Sequence, residues 1–253
     1  MQQNKKFYKP VELAYLYGIH PNTIRLYERL GYISPAERTS NNYRKFSKIH
    51  VLQVKICRCI FGYPFTNRHI RDTGNEVMWA AAKKQWDFGK QYASDYIQTI
   101  KQEIDLAEKA AEVLQKWALS KRIIENPEQP INFSRKEIAD LFGITGETVR
   151  NWERNGLISS DALGINNEKL YNNKDLERLR IVYMLRQAGY SISAIHHSIS
   201  TYNSGQSNMV LTALNNPEYD ELISVGDHWL HALWKLMDAA QKIPSIFNEL
   251  ETL

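Results

Sequence analysis

Cysteine is nearly missing from this chain: Cys57 and Cys59 are the only two in 253 residues. Two thiols two positions apart exclude a disulfide framework and a four-cysteine metal site. No run approaches the roughly 18 apolar residues that a membrane helix needs. The start, MQQNKKFYKP, has a small positive cluster with no apolar stretch behind it, so no secretory signal is expected. Glycine (12) and proline (8) are too few for a collagen-like or low-complexity chain. No Ser/His/Asp order, Gly-rich phosphate loop or carboxylate pair stands out, so neither an enzyme nor a cofactor is expected. Net charge is also scant, with 32 Lys and Arg against 28 Asp and Glu giving +4. With 43% hydrophobic and 24% charged residues, the composition fits a folded cytoplasmic chain of one to three domains.

The small total conceals asymmetry. Residues 1–72 carry 13 Lys and Arg against 4 Asp and Glu, net +9. Residues 73–130 have 8 against 9, and residues 131–200 have 9 against 8. Residues 201–253 carry 2 against 7, net −5. A strongly basic first quarter is the electrostatic footprint of a phosphate-backbone binder.

The chain also repeats itself. Tyr8–Ser34 aligns without a gap on Phe133–Ser159 at an offset of 125, with 12 identities in 27 positions. These include Glu12/Glu137, Gly18/Gly143, Thr23/Thr148, Arg25/Arg150, Glu28/Glu153, Arg29/Arg154 and Gly31/Gly156. The match resumes with Ile60–Phe65 over Gln187–Ile192. Each copy reads as two short helices and a turn. Pro10 opens the first helix, and Gly18 stops it. His20 is placed to cap the next helix, with Pro21 in its first turn and Ile24, Tyr27 and Leu30 on one buried face. In the second copy Ser134 and Glu137 form a capping box, Gly143 is the stop, and Ile138, Leu141, Val149 and Trp152 face inward. Gly143-Ile144-Thr145-Gly146 is therefore a helix-helix turn and not a nucleotide loop. PAERTSNNYRKF and SDALGINNEKLY follow, each with an Asn-Asn pair suited to a hairpin tip, which predicts a short two-stranded wing. Further helices are predicted at Ile49–Phe61 and Asp175–Ala188.

Thr23-Ile24-Arg25-Leu26-Tyr27-Glu28, Gly31, Pro35, Tyr43-Arg44-Lys45-Phe46 and Gly62-Tyr63 resemble the MerR family of winged-helix transcription regulators over about 70 residues. The second copy is similar through Thr148-Val149-Arg150, Trp152-Glu153, Gly156, Tyr171, Asp175-Leu176 and Gly189-Tyr190-Ser191. It departs by lacking the proline after its second helix and by having Lys169 where the first copy has Arg44. Leu26 and Asn151 stand where family members often have an aromatic residue or His. The resemblance implies that the second helix of each unit enters the major groove of double-stranded DNA while the wing grips the backbone. It also implies promoter binding with distortion of the DNA, and RNA polymerase or another protein as a further partner. The residues expected to face DNA are Asn22, Thr23, Arg25, Tyr27, Tyr43, Arg44 and Lys45 in the first head, and Glu147, Thr148, Arg150, Asn151 and Lys169 in the second. The arginines suit phosphate or guanine, Asn151 suits adenine and Glu147 cytosine. Tyr27 and Trp152 share a face with Ile24 and Val149, which equally suits a core.

Between the heads, Ala93, Ile97, Ile100, Ile104, Ala107, Ala111, Leu114 and Ala118 step by four and three, the repeat of a coiled coil. After the second head, Trp229, Leu233, Leu236, Ala240, Ile243, Phe247 and Leu250 do the same, with Pro244 expected to interrupt the helix. The expected fold is mainly α: winged helix-turn-helix domains at 1–74 and 131–200 with small β wings, a central coiled-coil helix at 75–126 and a C-terminal helical segment at 201–253. Self-association of the heptad helices is open between an intramolecular pseudo-dimer and a homodimer. Different reading helices predict unlike DNA half-sites. The sequence also leaves an architectural, excisionase-like recombination accessory protein, or a regulator whose second head docks a protein partner. Cys57/Cys59, His196-His197 and His228/His231 lack a third ligand, so no metal is expected. Trp79, Trp86, Phe88, Tyr92 and Tyr96 suit packing between head and coil. The expected location is the cytoplasm, in association with the nucleoid.

Overall fold

The computed structural model describes residues 7–62, 67–120, 132–160, 162–216 and 228–253. Tyr63, Pro64 and Phe65 of the repeat's second block and Asp227 beside His228 lie outside the described residues, as does the junction 121–131. The architecture is mainly α with small β wings. By their contacts the residues form two units, Met1–Gln102 with Ala232–Leu253 and Glu103–His231.

In the first unit, α1 (Pro10–Leu16) begins where Glu12 accepts the Lys9 amide at 2.8 Å. It stops because Gly18 takes φ +60°, a left-handed conformation nearly free of strain only for glycine. His20 caps α2 (Pro21–Arg29) by accepting the Asn22 amide on Nδ1. Strands β1 (Glu37–Arg38) and β2 (Arg44–Lys45) pair antiparallel, Arg38 opposite Arg44, with Asn42 left-handed at the tip. Helices α3 (Lys48–Phe61) and α4 (Arg68–Ala82) close the head. Gln53, fully buried on α3, accepts both the amide and hydroxyl of Ser34 and donates to Ala81 O at 2.8 Å. One side chain thus joins the start of the wing to two helices.

In the second unit, β3 (Phe133–Ser134), α6 (Arg135–Phe142) and α7 (Gly146–Arg154) follow the same plan. Ser134 and Glu137 form the expected capping box, and Gly143 is left-handed. Strands β4 (Ala162–Leu163) and β5 (Lys169–Tyr171) complete a three-stranded sheet in the order β3-β5-β4. Helices α8 (Asn173–Gln187), α9 (Ile192–Asn203) and, after a 3-10 turn, α10 (Val210–Asn215) continue the chain.

Helix α5 (Trp86–Leu119) links the heads in sequence. At 1.5 Å per residue its 34 residues span about 50 Å. Its buried stripe runs through Ala93, Tyr96, Ile100, Ile104, Ala107, Ala111, Leu114 and Ala118. Tyr96 takes the place expected for Ile97, which is only half-buried. At the C-terminus, α11 (Trp229–Ala240) stops and α12 (Ile243–Glu251) restarts with Pro244 in its first turn. All seven heptad residues from Trp229 to Leu250 are at most 2% exposed. The break therefore leaves the stripe in phase.

The packing is reciprocal. Inside the first unit, α12 lies against α3 and the start of α5, with Lys48–Glu249 at 3.7 Å and Lys90–Glu251 at 2.6 Å. Inside the second unit, the later half of α5 meets the second head. Tyr190 donates to Ala107 O at 3.2 Å, and the Trp117 and Tyr202 rings are 4.3 Å apart. Each head is covered by a helix that follows the other head in sequence.

Candidate nucleic-acid interface

In the first head, α2 and the wing enclose an open concavity of about 680 Å³. Arg25, Arg29, Arg38 and Arg44 line it, together with Asn22, Leu26 and a single carboxylate, Glu28. Helical spacing brings Asn22, Arg25, Leu26 and Arg29 to one side of α2, while Ile24 and Tyr27 point into the core. Strand pairing brings Arg38 beside Arg44. Like charges placed opposite each other destabilise a hairpin, and here a counter-charge is built in beside Arg44 while Arg38 donates to Asn42 O at the tip.

That counter-charge is Glu28. Its carboxylate accepts the Ala36 amide at 3.0 Å and Arg44 Nε at 2.5 Å. Sequence spacing suggests Glu28 as partner of Arg25 three residues earlier; Arg25 instead donates to Asn22 Oδ1 at 3.1 Å. Thr23 is half-buried at the first turn, its amide bonded to His20 O. Tyr43 is 72% exposed at the wing, and Lys45 stands 5.3 Å over the Phe7 ring. Tyr27 is 5% exposed and stacks on Phe61 at 5.8 Å, so it supports the reading helix from behind and does not line the concavity.

The second head repeats the strut with other partners. Glu153 accepts the Tyr171 hydroxyl at 2.8 Å, Arg135 at 3.0 Å and Lys169 at 3.1 Å. Burial works to raise its pKa, but these three hydrogen bonds outweigh burial and hold the carboxyl below its usual range. Lys169 is thereby tied down. On α7, Glu147 binds Arg150 at 3.2 Å and Arg154 at 2.6 Å. Thr148 bonds to the cap residue Thr145, and Asn151 accepts from Asn155. Where the first wing has Arg38 and Lys45, the second has Leu163 and Leu170. Sequence reading did not single out Arg29, Arg38 or Arg154. Arg29 and Arg154 were visible as an identity in the repeat, and Arg38 only through its pairing with Arg44.

The remaining candidates have ordinary surroundings. Cys57 is buried and Cys59 half-buried, and burial pushes both thiols up. Among the described residues no three His, Cys, Asp or Glu side chains are grouped to hold a metal ion. His228 Nδ1 lies 3.1 Å from Asn215 O. Trp79 donates to Leu30 O and packs on Tyr32, Tyr96 is fully buried, and Phe88 stacks on Tyr92 near the start of α5. No helix among the described residues is long and apolar enough to cross a membrane.

Comparison with known families agrees with both copies. Residues 9–46, covering α1, α2 and the wing, match the family described as "MerR family regulatory protein". Residues 133–201, covering the second head through α9, match "MerR HTH family regulatory protein". Neither a curated protein nor a solved structure matches the chain. The duplicated helix-turn-helix, the wings and these two matches give the chain two tandem MerR-type domains and support a DNA-binding transcription regulator of the MerR family.

Proposed function

We propose that this regulator binds promoter DNA as a single-chain pseudo-dimer with two unequal heads. The observation that carries the reading is the four-arginine concavity between α2 and the wing of the first head. Arginine forks suit bidentate contact with phosphate and guanine, and a helix beside a wing suits the major groove and its flanking backbone. The site residues are Asn22, Thr23, Arg25, Tyr43, Arg44 and Lys45 in the first head, with Arg29 and Arg38 added. In the second, Glu147, Thr148, Arg150, Asn151 and Lys169 face a second half-site with a weaker hold. The pseudo-dimer is supported by the reciprocal covering of each head by a helix that follows the other. Binding two half-sites at once bends or untwists the intervening DNA and so alters promoter geometry.

The test is footprinting on duplexes selected from a random pool, with sedimentation of the same complex. The expected result is two unlike half-sites, protected unequally, under one 29.4 kDa chain. A perfect palindrome protected equally, or a stable complex of two chains, overturns the pseudo-dimer. A second reading, in which the second head docks a protein, is favoured by its wing, where Leu163 is 57% exposed and Ile165 fully exposed. In that case Leu163→Lys with Ile165→Lys lowers promoter output and leaves DNA affinity unchanged.

A further inference from the structure

The two reading helices differ in charge at one exposed position of the first turn. The first head has Asn22 there and the second Glu147. Both oxygens of Glu147 are engaged with guanidiniums of their own helix, Oε2 with Arg150 Nη1 at 3.2 Å and Oε1 with Arg154 Nη2 at 2.6 Å. These are the counterparts of Arg25 and Arg29, which line the concavity of the first head. There the uncharged Asn22 side chain binds Arg25, and among the described residues no carboxylate pairs with Arg29. All three side chains of the Glu147 group are 60–66% exposed, so they belong to the surface that would meet a ligand and not to the core.

We infer that Glu147 is a specificity-determining residue that silences the second reading helix toward DNA phosphates. The inference rests on the DNA-binding reading above and deepens it. The carboxylate occupies the donors that phosphate oxygens would take. It also adds a negative charge facing a polyanion with one charge per about 1.7 Å. The other two cations of this head's wing corner, Arg135 and Lys169, are already held by Glu153. With Glu147 in place, the outer face of α7 has its two arginines paired to a carboxylate and carries one net positive charge in place of two. Removal of that one carboxylate frees two arginines at the positions where the first head uses them.

The experiment measures the affinity of the full chain for a mixed-sequence duplex of about 40 base pairs, long enough for two half-sites, as a function of salt. Glu147→Asn installs the residue of the first head, and Glu147→Gln is the second variant. Circular dichroism checks that α7 is kept in both. Each phosphate neutralised steepens the plot of log affinity against log salt by about 0.9, or about eightfold at 0.1 M relative to 1 M. The expected result is a slope steeper by about 0.9 to 1.8 and a gain of about fivefold or more at 0.1 M salt. Glu177→Gln, which removes another exposed carboxylate, on α8, changes affinity by less than about twofold. Arg150→Ala lowers affinity more in the Glu147→Asn background than in the natural chain, and it erases the gain there. No gain with either Glu147 variant overturns the inference, and a loss does so too, because a loss means that Glu147 itself contacts a base. A gain equal to that of Glu177→Gln also overturns it, as general charge. Arg25→Ala, run alongside, reports on the reading beneath. If it leaves affinity unchanged, the first head's concavity is not the DNA site, whatever Glu147 does. If it weakens binding while the Glu147 variants are silent, only the present inference fails.

Discussion

Replacing Glu28 by alanine removes the strut between reading helix and wing in the first head. The carboxylate accepts the Ala36 amide at 3.0 Å and Arg44 Nε at 2.5 Å. Both bonds are sheltered, since the Glu28 side chain is 12% exposed, that of Arg44 28% and Ala36 8%. A fully exposed pair would contribute less than about 1 kcal/mol, but a sheltered bond to an ionised group contributes about 1.5–3 kcal/mol. An Ala36 amide left without an acceptor costs a further 1–3 kcal/mol or so, offset in part when the wing opens to water. The local loss is therefore about 2–4 kcal/mol, or about 30-fold to 1000-fold faster amide exchange at Ala36. Hydrogen exchange followed by NMR reads this directly, with amides of the second head as internal reference. Glu28→Gln divides the two bonds: its carbonyl still accepts from Ala36, but the charge facing Arg44 is gone. Ala36 protection should then fall by less than about tenfold. Unchanged protection in Glu28→Ala would refute the strut, as would equal loss in both heads.

Two further outcomes follow from the packing. Glu153 titrates below its ordinary value of 4.5, because three hydrogen bonds outweigh the opposing effect of burial. A carboxyl held low contributes stability above its unfolded pKa and loses it as pH falls through the folded one. The second head should therefore weaken below pH 4.5, and Glu153→Gln should flatten that acid limb while costing about 2–3 kcal/mol at neutral pH. Thermal melts across the acid range check this, and parallel curves for the two proteins would sink it. Gly89→Ala should destabilise the first unit although alanine favours helix by about 1 kcal/mol. Its Cβ would lie 2.2 Å from the buried Phe247 ring, and overpacking of that kind costs about 1–3 kcal/mol. Urea unfolding of the variant gives the answer, and a raised midpoint would show that α12 yields freely.

The helix-turn-helix pairs were legible because they rest on local rules. Gly18, Gly31, Gly143 and Gly156 all take positive φ where the repeat places them, and Asn42 and Asn167 do so at the wing tips. His20 and Ser134 cap as their positions suggest. What local rules cannot give is the choice among partners. Glu28 lies three residues after Arg25 and Glu153 three after Arg150, so sequence pairs them within the helix. The fold pairs them with the wing, because each glutamate is turned toward the strand that returns beside its helix. Ile97 fits the heptad better than Tyr96, yet Tyr96 is the one that is fully buried. The covering of each head by the helix after the other joins residues such as Lys90 and Glu251, 161 positions apart. No periodicity encodes such a pairing.

The two copies keep different things for different physical reasons. Positions that hold a head together are matched in kind: Ile24 with Val149, Tyr27 with Trp152, Glu28 with Glu153, and the glycines of the turns. Positions on the outer face are not: Asn22 against Glu147, Leu26 against Asn151, Arg38 against Leu163, Lys45 against Leu170. A change at an outer position costs little folding free energy, since surface substitutions stay mostly within about 0.5 kcal/mol. The same change alters the local field at the place where a polyanion would approach. Fold and charged face can therefore drift independently. A head can remain a sound helix-turn-helix, with its strut and caps intact, while the charge of its outer surface falls. The summed charge of +4 is for that reason a poor guide to this protein. The informative quantity is whether the arginines of each reading helix face a neutral amide, as Arg25 does, or a carboxylate, as Arg150 and Arg154 do.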